Sequence, residues 1–242
     1  MVYTHISPIV VIYRIAGKNV GQMTQKGTQC PTYTDNIINV VVDDDVNNTV
    51  TAQQMSINVD KYVLNDYMVV CDEGKRSISI ENAGGKSDIS EMYSIDYFNQ
   101  KYGATGFILE KEVDYWINYK MVDFICTING EKVGVSVTRA MGYPTSDKFT
   151  KDSAYALLHK KIYGLIVARD SVNDPQSFYK SILHIWCQSE NIASHLIDAF
   201  KDVQNTDFGM DIIGVLSLQL TVCADDQLYK NYVKGLSQCP KK

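Results

Sequence analysis

The sequence predicts an α/β protein: a mixed central sheet flanked by helices, with a β-rich N-terminal region in front of it. Helical and strand signals alternate from Asp88 to Cys223, and strand–helix–strand connections place such strands in one sheet. Asn129-Gly130, set between two apolar runs, is the strongest short hairpin signal and makes one strand pair antiparallel. Composition agrees. A chain of 242 residues with 45% hydrophobic and 21% charged side chains buries a core without disulfide or metal staples.

Residues 1 to 88 have a texture of their own. Asn and Asp clusters and glycine turns separate short β-branched runs at 9–13, 37–42, 67–71 and 77–80, giving a β-rich or irregular region. Asp88 with Glu91 then fits an N-cap and its reciprocal N3 partner. Met92, Ile95, Phe98 and Tyr102 follow at helical spacing, and Gly103 suits the stop. Three strands come next, over 107–119 with an interruption near 110–112, over 120–128, and over 133–139. In the last of them Val133, Val135 and Val137 share one face, and Gly134, Ser136 and Thr138 the other. Residues 150–163 return to helical periodicity through Ala154, Leu157, Leu158 and Ile162, with Gly164 as the expected stop and 165–168 as a strand. A buried strand at 181–187, a helix at 192–200 and an alternating, half-buried strand at 213–223 complete the order. A short tail helix is expected after it.

Charge and spacing exclude several functions. The net charge of −5 is wrong for a generally basic nucleic-acid coat. Apolar runs are strand-sized, far below the ~18 residues that cross a bilayer, and the N-terminus lacks signal-peptide character. An intracellular protein, cytoplasmic or nuclear, with no membrane partner is expected. Six scattered cysteines and four histidines show neither CxxC nor HExxH spacing, so reduced structural thiols are expected and no zinc site. The acidic stretch 43–45 lacks the calcium-loop pattern, and 83–87 lacks P-loop spacing.

From Asp88 onward the order of elements resembles the restriction-endonuclease-like fold of the PD-(D/E)xK nuclease superfamily, whose core is helix, three-strand meander, helix, strand. The stretches that carry the likeness are Met121-Val122-Asp123-Phe124-Ile125-Cys126, Gly134-Val135-Ser136-Val137-Thr138-Arg139-Ala140-Met141, Tyr163-Gly164-Leu165-Ile166-Val167-Ala168-Arg169 and His184-Ile185-Trp186-Cys187. The second of these is also similar to a group of proteins from slime moulds, other eukaryotes and giant viruses. The likeness covers residues 89 to 203. It leaves 1 to 88 as a separate region and 204 to 242 as a C-terminal strand and tail packed on the core.

In active members an Asp and a Glu-x-Lys on successive strands hold magnesium and activate water, often with a Glu on the first helix. The resemblance places Asp123 at the motif Asp, preceded by Val122 rather than Pro, and Glu91 on the first helix. Ser136 stands at the Glu position and Thr138 at the Lys position, and both are neutral. Asp123 is then the metal candidate. Glu112 or Asp114, and Lys148, Lys151, Lys160 or Arg139, are the candidates to replace what is missing. Each has a plainer role: Glu91 as a helix cap, Glu110 and Glu112 as solvent-facing charges, and Lys160 and Lys161 as partners of the helix dipole.

Three functions follow. The favoured one is a catalytically degenerate nuclease-like protein without a cofactor, which binds DNA or RNA through Arg139, Lys148, Lys151 and Lys160. The second is an active Mg2+-dependent nuclease whose ligands have migrated. The third is a scaffold for protein partners, with 16 tyrosines and two tryptophans as anchors. Residues 89–203 contain 12 Lys+Arg and 14 Asp+Glu, so phosphate binding needs a concentrated basic patch and weakens with salt.

Overall fold

In a computed structural model the described residues are 34–38, 56–62, 70–79, 87–117, 119–206, 212, 214–225 and 228–229. Among the described residues, seven strands and four helices make a mixed sheet with helices on both faces. The strands are β1 (Thr34–Ile38), β2 (Ser56–Lys61), β3 (Thr105–Leu109), β4 (Phe124–Ile128), β5 (Glu131–Ala140), β6 (Lys180–Cys187) and β7 (Leu216–Val222). The helices are α1 (Asp72–Ser79), α2 (Asp88–Tyr102), α3 (Lys151–Ser171) and α4 (Glu190–Gln204). Across the sheet the order is β1-β2-β7-β6-β5-β4-β3. β2, β7, β6 and β5 run parallel, while β1 at one edge and β4 and β3 at the other are antiparallel to their neighbours.

Local chemistry explains the joints. Asn129 and Gly130 both take positive φ, 52° and 83°, as a type I′ hairpin requires. Gly103 ends α2 in the left-handed region at φ 60°. The Thr150 and Ser189 hydroxyls cap α3 and α4 by accepting from the Ser153 and Ile192 amides. On one face α3 and α4 pack Leu158, Ile162, Leu165, Leu196 and Phe200 against Leu183, Ile185, Leu218 and Leu220. On the other, α2 packs Met92, Ile95, Tyr97 and Phe98 against Phe124, Val135, Val137 and Trp186.

That second face also holds a buried polar network. Asp60 on β2 accepts from the Tyr97 hydroxyl, the Lys101 ammonium (2.5 Å) and the Gln219 amide (2.9 Å). Next to it His184 is wholly buried, stacked on Tyr97, with Nε2 2.9 Å from the Thr221 hydroxyl. Its Nδ1 has no hydrogen-bond partner among the described residues.

Several expectations are corrected. Residues 77–79 belong to α1 rather than to a strand. That helix covers α2, so 92–98 are buried all round and not on one face. Asp96, fully buried, accepts from the Cys71 amide at 2.7 Å. The N-cap of α2 is Ser87, one residue before Asp88, and has no side-chain capping bond. The first meander strand ends at Leu109, where a 3-10 turn (Glu110–Glu112) and an irregular segment take over. Gly164 does not stop α3, and 165–168 are helical, because Leu165 and Ala168 extend the buried stripe of Ala154, Leu158 and Ile162. One expected strand is therefore absent, and the order from Asp88 is α-β-β-β-α-β-α-β. β7 is not half-buried: Gln219 and Thr221 are as enclosed as the leucines, because Gln219 accepts from Tyr102 on α2 and Thr221 pairs with the buried His184.

The sheet runs across the boundary expected at residue 88, through β1 and β2. Cys126, Cys187 and Cys223 are buried free thiols, as expected. No helix among the described residues is long and apolar enough to cross a membrane. The runs at 9–13 and 39–42, the loop at 43–48, the break at 83–86 and the tail beyond 229 lie outside the described residues.

Candidate functional site

Asp123 occupies a bend directly before β4, not the strand interior, and its amide donates to the Val135 carbonyl (2.9 Å). That bond sets its side chain beside β5. There Asp123 Oδ2 accepts from the Val137 amide at 2.6 Å and the Ser136 hydroxyl at 3.0 Å. Ser136 lies on the β5 face opposite Val135 and Val137, the face covered by α3. Lys161 reaches down from α3 and donates to the Val137 carbonyl at 2.9 Å, with Ser136 Oγ 3.5 Å away. An acid, a hydroxyl and an ammonium thus meet at one point of the sheet.

Two further carboxyls feel this point. Burial raises the Glu91 carboxyl to about 8, with the negative charge of Asp123 as the second cause and smaller pushes from Glu110 and Asp88, against a hydrogen bond with Ser87. Burial and then Asp123 also raise Glu110, opposed by Lys111 and Lys161. The Tyr115 phenol, raised to about 12 chiefly by burial, accepts from the Val122 amide at 2.9 Å and borders Glu110 and Asp123. Crowding of negative charge at a partly buried point favours a bound cation or a held proton.

The donor set suits magnesium in its usual protein form, which takes one or two carboxylates and completes its shell with water and substrate phosphate. Asp123 Oδ1 accepts no hydrogen bond among the described residues, and Glu91 or Glu110 would supply the second carboxylate. Among the described residues no group of three His, Cys, Asp or Glu is gathered to hold a metal unaided.

Of the residues expected at the site, Asp123 and Ser136 are joined by a hydrogen bond, and Glu91 is near enough to feel the charge of Asp123. Thr138 follows Ser136 on the same face of β5. Arg139 points the other way and donates to the Leu228 carbonyl (3.1 Å). Its guanidinium is lowered by burial, against Tyr229 and Glu91. Lys148 and Lys151 pair with Asp147 (3.8 Å) and Asp202 (2.8 Å), and Lys160 is exposed on α3. Arg139 lies on the β5 face away from Ser136 and Thr138. Glu112 pairs with Arg76, and the Asp114 side chain is exposed. Sequence reasoning gave Glu110 to solvent and Lys161 to the dipole at a helix end, whereas Glu110 feels Asp123 and α3 runs on to Ser171 with Lys161 in its middle. The signal for Lys161 was its register, three residues after Leu158 and four before Leu165, which puts it on the buried stripe of its helix.

Fold and site define a mixed α/β protein with an acid–lysine site where β4 enters and β5 runs beneath α3. A curated Dictyostelium discoideum protein, described as AAC-rich mRNA clone AAC4 protein, is 34% identical to this chain over 136 residues. The match takes in 54% of this chain and 20% of that relative, so the chain spans about a fifth of the relative's length. No family model matches. No solved structure matches either.

Proposed function

We propose that the chain is a PD-(D/E)xK-like protein that hydrolyses phosphodiesters of nucleic acid, with the missing strand lysine supplied by Lys161 from α3. The element order α2-β3-β4-β5-α3-β6 is the helix, three-strand meander, helix, strand of that superfamily, which supports the reading. The observation that carries it is the reach of Lys161 to the β5 backbone at Val137, one residue from the position where Thr138 replaces the lysine. Bound Mg2+ would supply Lewis-acid polarisation of the phosphate and a more acidic water. Asp123, with Glu91 or Glu110, would hold it. Ser136 fixes the carboxylate of Asp123 by donating to it, and its oxygen also lies within reach of Lys161. The ammonium of Lys161 faces the same point and offsets charge that develops on a phosphate there.

A second reading, binding without cleavage, is favoured by the neutrality of Ser136 and Thr138 and by the two-carboxylate limit of the site. Incubation of labelled DNA and RNA, single- and double-stranded, with Mg2+ or Mn2+ separates the two. Cleavage by the wild type is expected, falling at least ~100-fold in Asp123→Ala and in Lys161→Met. Failure of the wild type on every substrate and metal would leave only the second reading.

A further inference from the structure

We infer that the segment between Glu110 and Asp123 is a base-stacking platform, and that the site it borders takes single-stranded nucleic acid. The inference deepens the nuclease reading for the chemistry at the edge of the platform, while the binding itself stands apart from it.

Four large apolar side chains in this segment face solvent: Trp116 (66% exposed), Ile117, Tyr119 (60% exposed) and Met121. Trp116 is held there by a mount at the end of α3. The Trp116 amide donates to the Ser171 carbonyl (3.0 Å) and its indole N–H to the Asp170 carbonyl (3.1 Å). Tyr115 bridges Val172, and the Asn173 amide donates to the Asp114 carbonyl (2.9 Å). The indole is therefore pinned by its polar edge to the end of α3 while most of its surface stays in water. Exposed flat rings in fixed positions suit stacking more than the packing of an aliphatic partner.

The charge pattern selects the partner. Lys61, Lys75, Lys148, Lys151, Lys180 and Lys201 each pair with a carboxylate. Lys111, Lys120, Lys132, Lys160 and Lys161 have no such partner among the described residues; Lys132 donates to the Pro175 carbonyl, and the other four belong to this segment or the helix beneath it. Lys120 lies over the Tyr119 ring at 4.9 Å. Its side chain borders Gly164 on α3, and Lys160 sits one turn before Gly164 on the same helix face. Aromatic rings interleaved with unpaired cations, next to a site that suits phosphate chemistry, describe a track for an anionic chain of bases. Only unstacked bases offer their faces to such rings, so a single strand fits and a duplex does not.

The test uses the full chain in EDTA, where cleavage cannot contribute. Fluorescein-labelled oligo-dT, oligo-U and a duplex of equal length are titrated by polarisation, with tryptophan emission followed in parallel. Trp186 is wholly buried, so quenching reports Trp116. The single strands are expected to bind with quenching, and Tyr119→Ala and Trp116→Ala each to weaken them by roughly 10-fold, within the range for base-stacking aromatics. Lys120→Glu lowers the salt dependence of binding. Equal affinity for the duplex, or unchanged binding by Tyr119→Ala, overturns the proposal. So does self-association of the wild type that Trp116→Ala abolishes, which would give the platform to a second copy. Should Trp116→Ala not fold, Tyr119→Ala carries the test, because that side chain makes no hydrogen bond among the described residues. Single-strand preference without cleavage in Mg2+ fails the nuclease reading alone; cleavage without the preference fails the platform alone.

Discussion

Lys161 directs its ammonium at a carbonyl and a hydroxyl rather than at Asp123 or Glu110. Glu91 is raised first by burial and second by the negative charge of Asp123. Its carboxyl moves from an ordinary 4.5 to about 8. Between those values the folded chain keeps a proton that the unfolded chain releases, so the stability Glu91 contributes is complete below pH 4.5 and declines as pH rises to about 8. Glu91→Gln is neutral at every pH and should remove that decline. Urea unfolding is expected to find the variant more stable than wild type at pH 8.5 and nearly equal at pH 4, both values being ~0.5 unit outside the window. Asp123 was legible because a hairpin signal fixes the register of the two strands beside it. Lys161 was not, because a search along β5 for the lost lysine does not look to a helix that is distant in sequence and adjacent in space.

Helix α3 shows tertiary packing overriding a local stop. A glycine inside a helix costs about 1 kcal/mol relative to alanine, whereas burying a leucine stabilises by roughly 1.5–3 kcal/mol. Leu165 and Ala168, both fully enclosed, therefore carry the helix through Gly164. A Cβ at Gly164 would meet only the Lys120 Cδ, at 4.0 Å. Gly164→Ala is thus expected to stabilise the fold by ~0.5–1 kcal/mol, read as a raised Tm in a thermal melt. A lowered Tm would mean that the helix needs the glycine for another reason. The same blindness hid α1, whose β-branched look came from two serines and two isoleucines at 77–80 and whose helical state depends on packing against α2. Element types were readable wherever periodicity ran long, as in α2, α4, β5 and β6. They failed where four residues had to decide alone.

Across the whole molecule the parallel joining of β2 to β7, through partners such as Ser56 and Ser217 that are 161 residues apart, lies beyond any local signal. The polar network that fastens it, with Asp60 at its centre, was equally invisible, since Asp60, Tyr97, Lys101 and Gln219 are unrelated in sequence. His184 beside it predicts behaviour in acid. Burial, aided by the charge of Lys101, depresses its imidazole from 6.5 to about 3. Between those values the unfolded chain takes up the proton, so the stability His184 contributes is full above pH 6.5 and is lost as pH falls toward 3. His184→Gln should flatten the acid limb of the stability curve by about one proton, and an unchanged slope would assign acid unfolding to the carboxyls alone. One consequence of the mount under Trp116 is mechanical. The helix that anchors the indole at Asp170 and Ser171 also carries Lys161, ten residues or about 15 Å back along the same rod. The ring and the ammonium are therefore two stations on one rod, and the helix between them sets their spacing.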